Sequence, residues 1–356
     1  MKNILVVDDS ALMRRVICDI IDSDERFHVQ ERATNGLEAL ELLSKNTYDA
    51  VLLDVNMPRM NGLELLKELQ KRKIAVRIMM VSTDTSEGAK TTLDALELGA
   101  LDFVQKPGSA MDCRSDEFKE KLLTTLSAVV NSRMPVFEKS FTREKFETSR
   151  KVVELVSRKA SAVTGSKIVA LASSTGGPKA LQSVVPRLPA NLKAPVVIVQ
   201  HMPPGFTASL AERLNSLSEI HVKEAAEGDV LQAGWVYIAM GGKHLNIVSS
   251  GGKYSIHYSD EPSREGVKPC ANYMYESLEN SQYDQVVCVV MTGMGADGTK
   301  GILSLKRKKK LYVIAQEAST CAVYGMPKSI VNANLADQVV PLDQIAQEII
   351  MNVGVN

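Results

Sequence analysis

Short apolar runs alternate with stretches of helical period along the first part of the chain. The runs are ILVV at 4–7, AVLLDV at 50–55, RIMMVS at 77–82 and DFVQKP at 102–107, and segments such as 36–43 and 62–69 lie between them. Short apolar strands separated by amphipathic helices predict parallel βαβ units, with helices on both faces of one sheet. A second series opens with KIVALASS at 167–174, a helix begun by Pro178, APVVIVQH at 194–201 and a helix after Pro204. It continues through WVYIAM at 235–240, QVVCVVMTG at 285–293 and LYVIAQ at 311–316. Runs such as VVIV and VVCVV suit buried parallel strands, and LNIVSSGGKYSIHY at 245–258 reads as a hairpin, an antiparallel addition. The expected fold class is α/β, with two doubly wound parallel-sheet domains.

Length agrees, since 356 residues suit two domains at roughly 100–200 residues each. The expected division is 1–133 for the first domain, 134–165 for a linker and 166–356 for the second. Between 134 and 166 Glu, Lys, Arg, Ser and Thr dominate, although Val152, Val153 and Val156 fall near one face of a short helix at 147–157. Lys plus Arg and Asp plus Glu both number 42, so charge gives no reason to expect a nucleic-acid or membrane-surface protein. Five cysteines without a CxxC pair, an odd count, argue against a disulfide framework and for a reducing cytoplasm. The start of the chain reaches Asp8 and Asp9 too soon for the apolar core of a signal peptide, and no later segment stays apolar for the ~20 residues of a membrane span.

Asp8 and Asp9 follow the first apolar run and Asp54 closes the second, so three carboxylates project from the carboxyl ends of parallel strands, where open α/β sheets bind ligands. Clustered carboxylates repel one another unless a cation holds them, and a hard oxygen site with open positions suits Mg²⁺. Lys106 brings a positive charge to the same edge and Ser82 a hydroxyl. Together these supply what phosphoryl transfer to an aspartate requires. LVVDDS, LLDVNMPRMNG, MVSTDT and DFVQKP occur in the order and register of response-regulator receivers, and residues 1–133 resemble that family. The resemblance implies a flavodoxin-like fold, Asp54 as phosphoacceptor and a Mg²⁺ site from Asp9, Asp54 and the Asn56 carbonyl, with Asp8 in support. It also implies Ser82 as the switch hydroxyl, Lys106 as the phosphate-binding lysine and Phe103 as the switch aromatic. Phe103 reads equally well as an ordinary core residue.

In the second series, Ser173-Ser174-Thr175-Gly176-Gly177-Pro178 lies at a strand-to-helix turn, where free amides can face a developing negative charge. Such a turn serves a nucleophile or a bound phosphate. A dinucleotide site would need G-x-G-x-x-G here and an acidic residue ending the next strand, and neither is present. That strand ends instead in His201, and a third ends in TGMGADG with Asp297. Three strand ends thus offer a nucleophile, a base and an orienting acid. Asp297 alone would read as a loop-capping acid, and His244 in GGKH is a further cleft candidate.

SSTGGP, VQHMPPGFT, MTGMGADG and IAQEAST...VYGMPK resemble the catalytic domain of the chemotaxis protein-glutamate methylesterases, the CheB family, over about 166–352. The resemblance implies a Rossmann-like esterase domain with Ser174 as nucleophile, His201 as base, Asp297 as orienting acid, the Met294 amide in the oxyanion hole and Thr175 positioning the site. It implies no cofactor for the esterase. The chain departs from the family in having Ala172-Ser173 before the nucleophile, which makes Ser173 a decoy, because neighbouring strand residues face opposite ways. It departs again in the basic run at 306–310, which reads as a solvated helix end or a docking patch.

The expected activity is phosphorylation-activated hydrolysis of glutamate methyl esters on chemoreceptors, with deamidation of receptor glutamines as a side activity. The implied partners are methylated chemoreceptors as substrate and a chemotaxis histidine kinase as phosphodonor. No nucleic acid is expected, and contact with the membrane only through receptors. A covalently linked receiver stays at high effective concentration beside the esterase, so a weak interface suffices to inhibit it until phosphorylation. Competing readings are a phosphorylation-dependent interaction protein without hydrolytic activity and, more remotely, a nicotinamide-dependent oxidoreductase.

Overall fold

The computed structural model describes residues 1–82, 86–107, 112, 115–134 and 165–356, without the side chains of 86, 87 and 250. The chain divides into two units, Met1–Glu138 and Lys139–Asn356. The linker expected at 134–165 and its helix at 147–157 lie outside the described residues, apart from the linker's two ends.

The first unit has strands β1 (Lys2–Val7), β2 (Phe27–Ala33), β3 (Ala50–Asp54), β4 (Ile78–Ser82) and β5 (Asp102–Gln105), all pairing parallel in the order β2-β1-β3-β4-β5. Helices α1 (Ala11–Asp22), α2 (Gly36–Lys45), α3 (Gly62–Arg72), α4 (Ser86–Glu97) and α5 (Asp116–Val130) connect or follow them. Ser10, Asn35, Asn61 and Ser115 each accept a first-turn amide, which starts α1, α2, α3 and α5 where polar residues precede apolar spacing. From β1 the chain goes to one side for β2 and to the other for β3. This reversal opens a crevice at the carboxyl ends of β1 and β3.

The second unit has a seven-stranded sheet of β6 (Lys167–Ser173), β7 (Val196–Gln200), β8 (His221–Glu224), β9 (Trp235–Ile238), β12 (Gln285–Val290), β13 (Leu311–Gln316) and β14 (Gln338–Val340). Every pairing is parallel, in the order β14-β13-β12-β6-β7-β9-β8. The predicted hairpin is present as a separate antiparallel pair, β10 (His244–Ser250) and β11 (Lys253–Ser259). Helices that frame the site are α6 (Gly177–Val184), α7 (Phe206–Leu217), α8 (Ala271–Ser277) and α9 (Thr299–Lys306), and α10 (Met326–Asn332) and α11 (Ile345–Val353) close the chain. The central strands β6, β7 and β12 are almost wholly buried, which explains their unbroken apolar runs. The order reverses at β6, whose neighbours β7 and β12 come from opposite directions of winding, and so a second crevice forms there.

Among the described residues no helix is long and apolar enough to cross a membrane. Cys18, Cys270, Cys288 and Cys321 are free and buried; Cys113 lies outside the described residues.

Candidate active site

The first crevice collects acids. Asp8 and Asp9 stand just past β1 and Asp54 ends β3; one carboxylate oxygen from each lies within 4.8 Å of the others. Asp8 and Asp54 are buried and Asp9 is exposed. Lys106, just past β5, pairs with Asp8 Oδ2 at 2.8 Å and Asp54 Oδ2 at 2.7 Å. Asp8 Oδ1 accepts the Ser10 amide at 2.9 Å, and Asp54 Oδ1 accepts the Val55 amide at 2.7 Å. Burial pushes the Asp54 carboxyl up, against the pull of Lys106. Burial also works against the Lys106 ammonium, but the two carboxylates outweigh it and hold the lysine above its usual range. A buried acid pushed toward its neutral form, beside two others, is a donor set fitted to a hard divalent cation.

Ser82 ends β4 fully buried, and its hydroxyl accepts from Thr92 Oγ1 of α4 at 2.7 Å. Thr92, which the sequence did not single out, also has Oγ1 2.7 Å from the Gly88 carbonyl, the alternative acceptor for its one hydroxyl proton. Phe103 is buried on β5, and Asn56 is exposed on the loop after β3.

The second crevice brings the predicted triad residues to neighbouring strand ends. Ser173 on β6 pairs in register with Gln200 on β7, and Ser174 and His201 are the next residues past the two strand ends. The decoy separates cleanly from its neighbour: Ser173 is fully buried and donates to Gln200 Oε1 at 2.7 Å, whereas Ser174 is partly exposed just past the strand. Gly176, at φ 75°, turns the chain from Ser174 into α6 in a conformation that disfavours other residues. The amino end of α6, with Pro in its first turn, then faces the same crevice.

Asp297 is 3% exposed and meets His201 Nε2 at 2.8 Å through Oδ2. Its other partners come from the start of α8 and from its own loop. Oδ2 accepts the Ala271 amide at 2.6 Å, and Oδ1 accepts the amides of Asn272 at 3.0 Å and Gly298 at 2.8 Å and the Cys270 thiol at 3.1 Å. Burial alone would raise this carboxyl, but His201 and the converging donors hold it at about 2. The same carboxylate and burial push the Cys270 thiol up to about 12. With Nε2 turned to Asp297, the nitrogen left for the serine is Nδ1.

Thr292, just past β12, ties the site together: its carbonyl accepts the Ser174 amide at 3.0 Å and its hydroxyl donates to the Thr175 carbonyl at 2.9 Å. Thr175 is buried, and Met294 is 41% exposed two residues beyond Thr292. His244 is no part of the cleft chemistry. It is fully buried, accepts the Cys270 amide on Nδ1 at 3.2 Å and donates from Nε2 to the Pro262 carbonyl at 3.2 Å, which is the neutral tautomer. The basic run lies at the other end of the sheet, between the end of α9 and the start of β13; Lys308 pairs with Glu279 at 2.6 Å and Lys309 donates to the Ser281 carbonyl.

Sequence reasoning missed two glutamines. Gln200 Nε2 donates to the carbonyls of Ser174 at 3.0 Å and His201 at 3.2 Å. Gln316 Oε1 accepts the Thr292 amide at 2.8 Å, and its Nε2 donates to the Thr320 carbonyl at 2.8 Å. The signal was available: each is a buried amide closing an otherwise apolar strand, VVIVQ or YVIAQ.

Comparison with known proteins adds the following. Residues 169–349 match the model of the CheB methylesterase family, and residues 4–115 match that of the response regulator receiver domain. The chain is 42% identical over 351 residues to a protein-glutamate methylesterase/protein-glutamine glutaminase of Pyrococcus abyssi, covering 98% of this chain and 92% of the relative. It is 41% identical over 351 residues to the protein of the same name from Bacillus subtilis, covering 98% of each. Among solved structures, the Thermotoga maritima CheB methylesterase catalytic domain superposes with a TM-score of 0.51 at 42% identity, covering 53% of this chain and 98% of that one.

Proposed function

The chain belongs to the CheB methylesterase family and carries a response regulator receiver domain ahead of the catalytic one, and from that premise we propose phosphorylation-activated hydrolysis of glutamate methyl esters on chemoreceptors. Deamidation of receptor glutamines is the second activity of the same site. We assign residues 1–133 to the receiver, 134–165 to a linker and 166–356 to the hydrolase. The protein works in the cytoplasm, takes its phosphoryl group from a histidine kinase, and meets the membrane only through receptors.

The observation that carries this reading is the 2.8 Å contact of His201 Nε2 with a buried, amide-bound Asp297, one register step from Ser174. Asp297 accepts a hydrogen bond from Nε2–H, which leaves the Nδ1 lone pair as base. Ser174 Oγ attacks the side-chain ester carbonyl while Nδ1 takes its proton. The Met294 amide receives the developing oxyanion, and Thr175 positions the site. The imidazolium is stabilised by Asp297 and returns the proton to the departing methoxide, so methanol leaves. Water, activated by the same nitrogen, then cleaves the acyl-serine to give glutamate. A primary amide follows the same course and releases ammonia.

In the receiver, Asp8, Asp9 and Asp54 with the Asn56 carbonyl would hold Mg²⁺, which when bound supplies positive charge against incoming phosphate. Asp54 Oδ is the nucleophile toward phosphorus, Lys106 binds a phosphate oxygen, and Ser82 and Phe103 respond to the new group. Methanol release from methylated receptor, with and without a small phosphodonor, tests both halves. Ser174→Ala should lower release by at least about 10³-fold with Asp54 still phosphorylated; undiminished release would refute the assignment. If removal of residues 1–133 left the rate unchanged or lower, inhibition by the unphosphorylated receiver would be wrong.

A further inference from the structure

We infer that Gln200 is a positioning residue whose carboxamide fixes the separation of Ser174 and His201. The inference rests on the hydrolase reading above. The backbone ladder between β6 and β7 ends with the His201 amide donating to the Ser173 carbonyl at 3.1 Å. Beyond that bond the two chains part. The Ser174 amide turns to Thr292, and its carbonyl accepts the Gly177 amide at 2.7 Å. Among the described residues no backbone hydrogen bond joins Ser174 to His201. What joins them is Gln200 Nε2, which donates to both carbonyls.

Three features fit this role. Gln200 is 1% exposed, and an amide so buried is costly unless its bonds are made. The Ser173 hydroxyl donates to Oε1, which fixes the orientation of the amide and so aims Nε2 at the carbonyls. Gly177 leaves the room: a Cβ there would sit 2.0 Å from Gln200 Oε1 and 2.9 Å from Cδ. Glycine at 177 has no positive φ to justify it and alanine is the better helix former, so the space it leaves serves the carboxamide and the Ser173 Cβ, 3.0 Å from the same point.

A base displaced by a fraction of an ångström from its nucleophile loses rate while substrate binding is kept. The test uses the full chain with a phosphodonor and methylated receptor, and counts working sites by titrating Ser174 with a fluorophosphonate. Gln200→Met keeps length and loses every polar bond. Its kcat per titrated site should fall about 10- to 100-fold, with KM within about twofold of the parent. Ser173→Ala deletes only the hydroxyl that orients the amide, and its kcat per site should fall about 3- to 10-fold with KM held, an outcome that a purely structural role for the glutamine does not produce. If Gln200→Met does not fold, Ser173→Ala decides alone. Parental kcat per site in the variants, or a raised KM at unchanged kcat, would overturn the inference and leave the hydrolase reading intact. Parental activity in Ser174→Ala would remove the reading itself.

Discussion

Both units bury an aspartate at the carboxyl end of a parallel strand or in the loop that follows it, at the reversal of strand order, yet the two acids are held in opposite ways. Asp54 faces one lysine and two other acids, and burial pushes it toward its neutral form. Asp297 is just as deeply buried, but three amides, a thiol and an imidazole converge on it and keep it ionised. Burial therefore does not set the charge state of a carboxyl. The count of donors aimed at it does. An acid satisfied from within is a fixed part of the machinery, whereas one left short of positive charge responds to whatever arrives from outside.

The sharpest way to break the contrast is Asp297→Asn. It keeps the shape and removes the charge, so kcat for methanol release should fall on the order of 10⁴-fold, with phosphorylation of Asp54 untouched. Less than a tenfold loss would mean that the carboxylate only holds the start of α8. On the receiver side, Lys106→Met strips Asp8 and Asp54 of their shared cation and should cost about 3 kcal/mol of receiver stability. Added Mg²⁺ should return part of the loss, measured by denaturant titration; no effect of Mg²⁺ would argue against a metal at these acids. The smallest effect is on acid stability. Asp297, held at about 2 against 3.8 for the free group, contributes about 2 kcal/mol. A depressed carboxyl adds stability that is present above its unfolded value and lost as pH falls through its folded one. The hydrolase unit should therefore weaken between about pH 4 and pH 2, and Asp297→Asn should flatten that slope in acid melts.

How much of this could be read beforehand follows the range of each interaction. The buried central strands announced themselves as unbroken apolar runs, and the acids, serines and histidine of the two crevices fell at a predicted strand end or, for Asp297, in the loop that follows one. The edges were harder. β2 alternates buried and exposed positions and β14 has three residues, so neither shows the run that marked its neighbours. Partners far along the chain were invisible. Nothing local to 297 names Cys270, Ala271 and Asn272 as its donors, and nothing local to 82 names Thr92. The choice between Ser173 and Ser174 rested on resemblance in the sequence; in the fold it is a matter of which hydroxyl meets Gln200 inside the sheet and which looks out.

The thiol of Cys270, pressed against the acid of the triad, has a final consequence. Sulfur attacks electrophiles as thiolate, and a group pushed up to about 12 holds almost none of it at neutral pH. Alkylating agents and peroxide therefore meet almost no thiolate at that acid, and a covalent inhibitor designed for the cleft would gain nothing from a thiol-directed group aimed at Cys270.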